Sequence, residues 1–139
     1  MHVTNRSIDF TPSPEDLDAI KRVSNDYFEA WYTGDVERMR QSLHPELAKR
    51  SLRRDPDTGA GKLGNTSAQR MEELTRQGEG TSTPVNERSQ VVTILDTFAN
   101  IATVKVVSYE YVEYLHVARF DTGWLIVNTL FALRNPDSQ

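Results

Sequence analysis

The chain has 139 residues, no cysteine, 37% hydrophobic residues and a formal net charge of −4. This length and composition favour one folded domain over a disordered chain, and they exclude disulfides, thiolate zinc ligands and cysteine nucleophiles. The acidic balance argues against a nucleic-acid partner. The absence of an apolar run long enough for a signal peptide or a membrane span predicts a cytoplasmic protein without a membrane partner.

The N-terminal half begins with two predicted helices. From Pro14, apolar residues recur at helical spacing to about residue 32, and Ser13 can accept a hydrogen bond from the first turn. Gly34 ends this helix, because glycine is the usual residue just beyond a helix C-terminus. Asp35 caps a shorter second helix, which ends at His44 because the following proline disfavours helical backbone there.

The middle of the chain is less clearly patterned. Residues 47–54 fit either a short strand or an irregular run. Residues 55–65 are rich in glycine, aspartate and threonine, so their composition predicts an exposed loop. Thr66 with Gln69 three residues later resembles a capping box, which predicts a third helix over residues 68–77.

From Glu87 onward the apolar residues recur with a period of two, which predicts four antiparallel strands. These strands lie near 91–95 and 101–108, and in a long hairpin over 109–133 whose turn is at 121–123. Helices followed by a meander of strands are typical of an α+β fold. We therefore expect three N-terminal helices packed on the concave face of a curved, mostly antiparallel sheet.

The register of the hairpin decides which of its side chains share a face. A three-residue loop at 121–123 pairs Phe120 with Trp124 and His116 with Asn128, and it separates charged from aromatic side chains better than a two-residue loop does. The aromatic face is expected to lie on the concave side, beneath the first helix. The predicted ligand-binding residues are Tyr27, Trp31, Tyr114, His116, Trp124 and Asn128.

The other face of the hairpin is too apolar to be left in open solvent. A symmetric sheet-to-sheet homodimer is the simplest way to cover it, and an unassigned loop or the N-terminal arm is the alternative. The residues expected at this interface are Leu115, Val117, Leu125, Val127 and Phe131.

His116 opposite Asn128 is the best candidate for chemistry. Histidine titrates near neutral pH, so His116 could act as a general base with Tyr27 or Tyr114 as proton donor. The same pair also fits two buried polar groups that bond each other without any reaction. Glu110 is the carboxylate expected to share the concave side, at the rim.

A basic run follows the second helix. Its side chains either bind an anionic group at the rim of the cavity or lie in solvent and balance nearby acids. Three scattered histidines predict no metal site, and no motif indicates a cofactor. The basic residues are Lys49, Arg50, Arg53 and Arg54.

Four motifs together resemble a known family: WYTGD at 31–35, LHP at 43–45, EYLH at 113–116 and FDTGWLIVN at 120–128. They are similar to the nuclear-transport-factor-2-like superfamily, and within it to the "putative lumazine-binding" and SnoaL-like branches.

The resemblance covers residues 14–134, which leaves residues 1–13 as a flexible N-terminal arm and residues 135–139 as a tail. It implies a cystatin-like α+β cone with a ligand cavity inside, usually in a homodimer.

Two functions follow as hypotheses. The first is a dimeric protein that binds a small hydrophobic or aromatic ligand in an aromatic-lined cavity. The second is an enzyme of the isomerase, polyketide cyclase or dehydratase kind, with His116 as general base. Ketosteroid isomerases of this superfamily use an aspartate base with a tyrosine and a protonated acid. No pair of concave carboxylates can be placed in this sequence, which favours binding. A dimerisation scaffold with a filled cone is a third alternative.

Overall fold

The computed structural model describes residues 11–135, so the first ten residues of the predicted arm and the tail beyond residue 135 lie outside the described residues. The helices are α1 (Pro14–Thr33), α2 (Val36–Ser42) and α3 (Ala68–Arg76), with short 3-10 helices at Glu79–Ser82 and Val85–Glu87. The strands are β1 (Leu43–Arg54), β2 (Gly61–Thr66), β3 (Gln90–Phe98), β4 (Ile101–Ser108), β5 (Tyr111–Phe120) and β6 (Gly123–Leu133).

Helix α1 begins and ends close to the predicted positions. The Ser13 hydroxyl accepts a hydrogen bond from the Asp16 backbone N–H at 3.1 Å, and the Asp16 carboxylate accepts one from the Ser13 N–H at 3.2 Å, which completes a capping box. Gly34 ends the helix at φ +74°, a left-handed conformation that glycine adopts at little cost. The helix packs its buried stripe on β3, β4 and β6.

The six strands form one sheet in the order β2-β1-β6-β5-β4-β3. Strand β1 runs parallel to β6, and the other neighbouring strands are antiparallel. The predicted α+β class is confirmed, with the helices on one face of a curved, mostly antiparallel sheet. Each helix between residues 11 and 135 is too short or too polar to span a lipid bilayer.

The predicted loop over residues 55–65 is wrong for its second half, which forms β2. This strand pairs with β1 and lies at the edge of the sheet, where exposed glycine, lysine and asparagine are tolerated. Because Thr66 ends β2, the cap of α3 is Ser67, whose hydroxyl accepts a hydrogen bond from the Arg70 N–H at 3.0 Å.

The predicted three-residue loop of the last hairpin is also wrong. Phe120 pairs with Gly123 and Arg119 with Trp124, so the turn has two residues. A β-bulge at Val127 then shifts the register by one residue, and beyond it His116 lies opposite Asn128 as expected. The two differences have one cause, since the extra residue of the bulge compensates for the shorter turn.

This change inverts the faces of β5. The side chains packed beneath the helices are Glu113, Leu115 and Val117, each at most 1% exposed. The predicted concave placement of Tyr114, His116 and Asn128 is therefore wrong, because these residues lie on the outer face. Of the predicted dimer residues, Leu115 and Val117 lie in the core, and Phe131 faces the cone instead of solvent.

The cause of the inversion lies in β4. Its buried side chains are Ala102, Val104 and Val106, whereas Lys105 between them faces outward. Lys105 pairs directly with Tyr114, and paired residues of neighbouring strands share a face. Because burying the charged lysine would be costly, Lys105 lies on the outer face, and its partner Tyr114 lies there too.

Gly80 allows the 3-10 helix Glu79–Ser82 to contact the end of α1. A Cβ atom at Gly80 would overlap the carbonyl oxygen of Trp31 and approach its carbonyl carbon to 2.6 Å. Because the overlap is with backbone atoms, a side-chain rotation does not relieve it.

We expect Gly80→Ala to lower the free energy of unfolding by about 1–3 kcal/mol, since it forces α1 and the 3-10 helix apart. Gly61→Ala is the matched control, because its Cβ would meet only the flexible Leu52 side chain, at 3.2 Å. Urea denaturation measures both variants, and equal midpoints would contradict the prediction.

Candidate functional site

A cavity of about 350 Å³ lies between the concave face of the sheet and helices α1 and α3. Its volume is in the range of small-molecule sites in other proteins. The walls are mostly aromatic and aliphatic, with a few polar side chains on β1 and β5. The lining consists of Tyr27, Phe28, Trp31, Lys49, Ser51, Leu52, Arg53, Thr66, Met71, Leu74, Tyr111, Glu113, Phe131, Ala132 and Leu133.

Three polar side chains from different elements meet in this wall. The Tyr27 hydroxyl donates a hydrogen bond to Glu113 Oε2 at 2.6 Å, and Lys49 Nζ lies 3.4 Å from the same oxygen. Lys49 Nζ also donates a hydrogen bond to the Tyr27 hydroxyl oxygen. The side chain of Glu113 is 2% exposed and that of Lys49 is 11% exposed. We call these three residues the polar cluster.

Local structure brings the polar cluster together. Tyr27 lies on the buried stripe of α1, and Glu113 lies on the inward face of β5 opposite Phe131. Lys49 pairs with Thr129 of β6, and its ammonium group lies 4.7 Å from the centre of the Phe131 ring. The ring face attracts the cation, so Phe131 supports the position of the lysine head group.

The surroundings keep Tyr27 protonated. Burial raises its pKa well above the ordinary value of 10.0, and the negative charge of Glu113 and the hydrogen bond to it act in the same direction. At neutral pH Tyr27 is therefore a donor. The charges of Lys49 and Glu113 offset each other, and a lysine ammonium has three N–H donors. Two of them are directed to Tyr27 and Glu113, which leaves the third without an acceptor among residues 11–135.

Thr129 adds a hydroxyl beside the polar cluster. Its Oγ1 atom is buried and makes no hydrogen bond of ordinary geometry to any residue between 11 and 135. It nevertheless lies near enough to Tyr27 to act on the pKa of that phenol, in the lowering direction. A buried hydroxyl without a full partner costs about 1–3 kcal/mol, so there is unused hydrogen-bonding capacity beside the polar cluster, behind the residues that line the cavity.

Arg53, Ser51 and Tyr111 form a second polar part of the lining. The Arg53 Nε–H donates a hydrogen bond to Ser51 Oγ at 3.3 Å, and the guanidinium is exposed. The pKa of Tyr111 is raised, first by burial and then by the charges of Glu110 and Glu113, whereas the charge of Arg53 acts in the opposite direction. Arg53 is therefore close enough to act electrostatically on the cavity wall.

The structure brings only part of the predicted site together. Tyr27 and Trp31 line the cavity. Trp124 is buried but does not line it, and its indole N–H donates a hydrogen bond to Asp16 Oδ1 at 2.9 Å. Tyr114, His116 and Asn128 lie on the opposite face of the sheet, outside the cone. There His116 Nδ1 and Asn128 Nδ2 are 3.4 Å apart and exposed.

The sequence interpretation missed Lys49, Glu113 and Tyr111 as lining residues. Of the two alternatives for the basic run, an anion site at the rim or a solvated segment, the solvated one fits the exposed Arg50 and Arg54 but not Lys49, which pairs with the buried Glu113. Glu113 alternates in phase with Leu115 and Val117, so the predicted register of the hairpin puts all three on the outer face. The signal in the sequence is Lys105. This lysine must face outward and pairs with Tyr114, so the adjacent Glu113 must face inward. Within residues 11–135, no group of three or more histidines and carboxylates could hold a metal ion.

The polar cluster predicts strong coupling between Lys49 and Glu113. Lys49→Met leaves a buried carboxylate without its counter-charge, so we expect it to lower the free energy of unfolding by about 3 kcal/mol or more. Glu113→Gln leaves the lysine unpaired and is also destabilising. In the double variant, the decrease in the free energy of unfolding should be smaller than the sum of the two single decreases by at least about 1 kcal/mol.

The control cycle uses Arg70 and Glu73, an ion pair at 3.1 Å whose side chains are 50% and 45% exposed. We expect a coupling of less than about 0.5 kcal/mol for Arg70→Met with Glu73→Gln. Chemical denaturation measures the free energy of unfolding of every variant, and these values give the coupling free energy of each pair by a double-mutant cycle. Equal coupling in the two pairs would show that burial adds nothing to the Lys49–Glu113 interaction.

Comparison with solved structures identifies many similar folds. A nuclear-transport-factor-2-like protein of unknown function from Silicibacter pomeroyi has a TM-score of 0.72 at 14% identity, covering 89% of this chain and 100% of that one. A protein of the same description from Methylobacillus flagellatus has a TM-score of 0.66 at 19% identity, covering 93% of this chain and 100% of that one. A ketosteroid isomerase-like protein from Erwinia carotovora atroseptica has a TM-score of 0.57 at 14% identity, covering 89% and 100%.

These identities show the fold alone. No curated protein matches the sequence significantly. The model of the family described as "putative lumazine-binding" matches residues 15–132, most of the chain. The resemblance found in the sequence motifs is thereby confirmed, and the chain belongs to this "putative lumazine-binding" family of the nuclear-transport-factor-2-like superfamily.

Proposed function

We propose that this protein binds a small, flat, mostly apolar molecule in the cavity between the sheet and the helices, without transforming it. The observation that carries the proposal is the combination of an apolar cavity with the polar cluster of Tyr27, Lys49 and Glu113 in its wall. Apolar walls with a few placed polar groups are the usual composition of sites that hold a ligand in one orientation.

The state of the polar cluster favours binding over proton transfer. A general base needs a free lone pair and a pKa near the working pH. The Glu113 Oε2 atom already accepts hydrogen bonds from Tyr27 and Lys49, which leaves Oε1 as the oxygen of this carboxylate that could face a ligand, and Tyr27 retains its proton because its pKa is raised. His116, the base of the alternative enzymatic hypothesis, lies outside the cone, so that hypothesis lacks the geometry it requires.

The remaining donor of Lys49 suits an oxygen of the ligand. A carbonyl or hydroxyl oxygen placed there would replace water at the ammonium group, while rings of the ligand contact Phe28, Trp31 and Phe131. The family description names lumazine, a flat bicyclic heterocycle with carbonyl oxygens, and its shape and polarity match these requirements.

We expect Leu74→Trp to abolish binding, because the larger side chain occupies the cavity that Leu74 lines. Leu63→Trp is the matched control, since Leu63 is 54% exposed on β2 and does not line the cavity. Isothermal titration with 6,7-dimethyllumazine and with 2-naphthamide measures the affinities, and thermal unfolding confirms that both variants fold.

Binding of either probe to the unmodified protein and to Leu63→Trp, with loss in Leu74→Trp, supports the proposal. The proposal fails if neither probe binds at millimolar concentration. It also fails if Leu74→Trp, while folded, binds as well as Leu63→Trp, because the ligand would then lie elsewhere.

We further propose that two copies of the chain associate through the outer face of the sheet. This face exposes large apolar side chains on four adjacent strands, and soluble proteins rarely leave such patches open. The interface residues differ from those expected from the sequence, because the faces of β5 are inverted. The exposed apolar residues on or near this face are Leu95, Phe98, Ile101, Tyr114 and Leu130.

Leu130→Glu should convert the dimer into a monomer, because a carboxylate within an apolar interface is costly to desolvate. Val85→Glu is the control, since Val85 is 76% exposed on a 3-10 helix away from the sheet. Light scattering coupled to size-exclusion chromatography gives the mass of each variant. A monomeric unmodified protein at micromolar concentration would refute the proposed association.

A further inference from the structure

We propose that the ligand of the cavity is a monoanion, namely a flat aromatic carboxylic acid whose carboxylate is bound by Arg53. This inference rests on the proposed binding function and adds the chemical class of the ligand. It is carried by the charges and contacts of one strand, β1, which forms part of the cavity wall.

Strand β1 places Lys49, Ser51 and Arg53 in the lining at alternate positions. The lining includes two cations, Lys49 and Arg53, and one carboxylate, Glu113. Glu113 is already engaged with Lys49 at 3.4 Å. The lining therefore carries one positive charge in excess at neutral pH, and this charge belongs to Arg53.

Arg53 has no internal partner that neutralises it. The ion pairs within residues 11–135 engage Arg38, Arg40, Lys49, Arg70 and Arg119, and none of them includes Arg53. Its only side-chain hydrogen bond in the described part of the chain is from Nε to Ser51 Oγ, at the long distance of 3.3 Å. The two terminal nitrogens have no acceptor among residues 11–135.

A carboxylate fits this arrangement better than other groups. The planar guanidinium presents parallel N–H donors that match the two oxygens of a carboxylate. A single excess positive charge is balanced by one negative charge, whereas a dianion such as a phosphate monoester would bring a second charge against apolar walls. The aromatic side chains of the lining then receive the rings of the acid.

The test compares 2-naphthoic acid, which is ionised at pH 7, with 2-naphthamide, its neutral counterpart of nearly the same size. We expect the acid to bind about tenfold more tightly, a modest factor for a charge-assisted bond because Arg53 is exposed. Arg53→Gln should remove this preference, because it weakens binding of the acid by about tenfold more than binding of the amide. Raising the ionic strength should weaken binding of the acid alone.

Arg50→Gln is the matched control. It makes the same change of charge three residues earlier on β1, but Arg50 is exposed, bonds to Asn65 on β2 and does not line the cavity. We expect it to keep the full preference for the acid. Retained preference in Arg50→Gln combined with its loss in Arg53→Gln supports the inference.

Other outcomes overturn it in distinguishable ways. If the amide binds as tightly as the acid, the ligand class is wrong although the proposed binding function stands. If the preference for the acid survives Arg53→Gln, the carboxylate is bound by another residue and the role of Arg53 is refuted. If neither compound binds but 6,7-dimethyllumazine does, the inference fails while the proposed binding function stands, and if none of the three binds, both fail.

Discussion

The carboxylate of Glu113 imposes the strongest constraint on this structure, because it lies almost entirely out of water beneath the helices. An isolated ionised carboxyl group in such a place would cost several kcal/mol, so the fold has to supply partners. It does so from two distant parts of the chain, with Tyr27 on α1 and Lys49 on β1. The interaction therefore fixes how the first helix and the parallel-paired strand lie relative to the central hairpin.

The same constraint explains why the cone is not filled by side chains. A core can be packed densely with aliphatic residues, but an ion pair with a tyrosine needs room and defined hydrogen-bond directions. Around the polar cluster the walls are formed by large rings and by Leu74, and a cavity of about 350 Å³ remains between them. The three side chains of the polar cluster therefore contribute to stability and also form part of the cavity wall, and they bond to one another without any ligand.

The helices and the general architecture could be predicted from the sequence because they rest on local patterns, such as the Ser13 cap and the period-two strands. The lining of the cavity could not be predicted in this way, because a single extra residue, at the bulge in β6, decides which face of each strand points into the cone. The bulge at Val127 combines with a two-residue turn, and neither has a strong local signature in this sequence. The hairpin pattern alone therefore predicts that His116 and Asn128 lie inside the cone. The neighbouring strand β4, whose Lys105 faces outward beside Tyr114, shows that they lie on the outer face of the sheet.

Strand β1 is the element that the sequence predicted least well, and the proposed specificity of the cavity rests on its side chains. This strand has the composition of a solvated basic segment, although Lys49, Ser51 and Arg53 line the cavity. Lys49 offsets a buried acid, while Arg53 keeps its charge unpaired. The local sequence pattern and the observed structure are expected to disagree at functional positions, because the residues there are those that the site requires and not those that favour the local fold. The mismatch at β1 is therefore itself an argument that this strand, more than the aromatic walls, determines which molecule the cavity accepts.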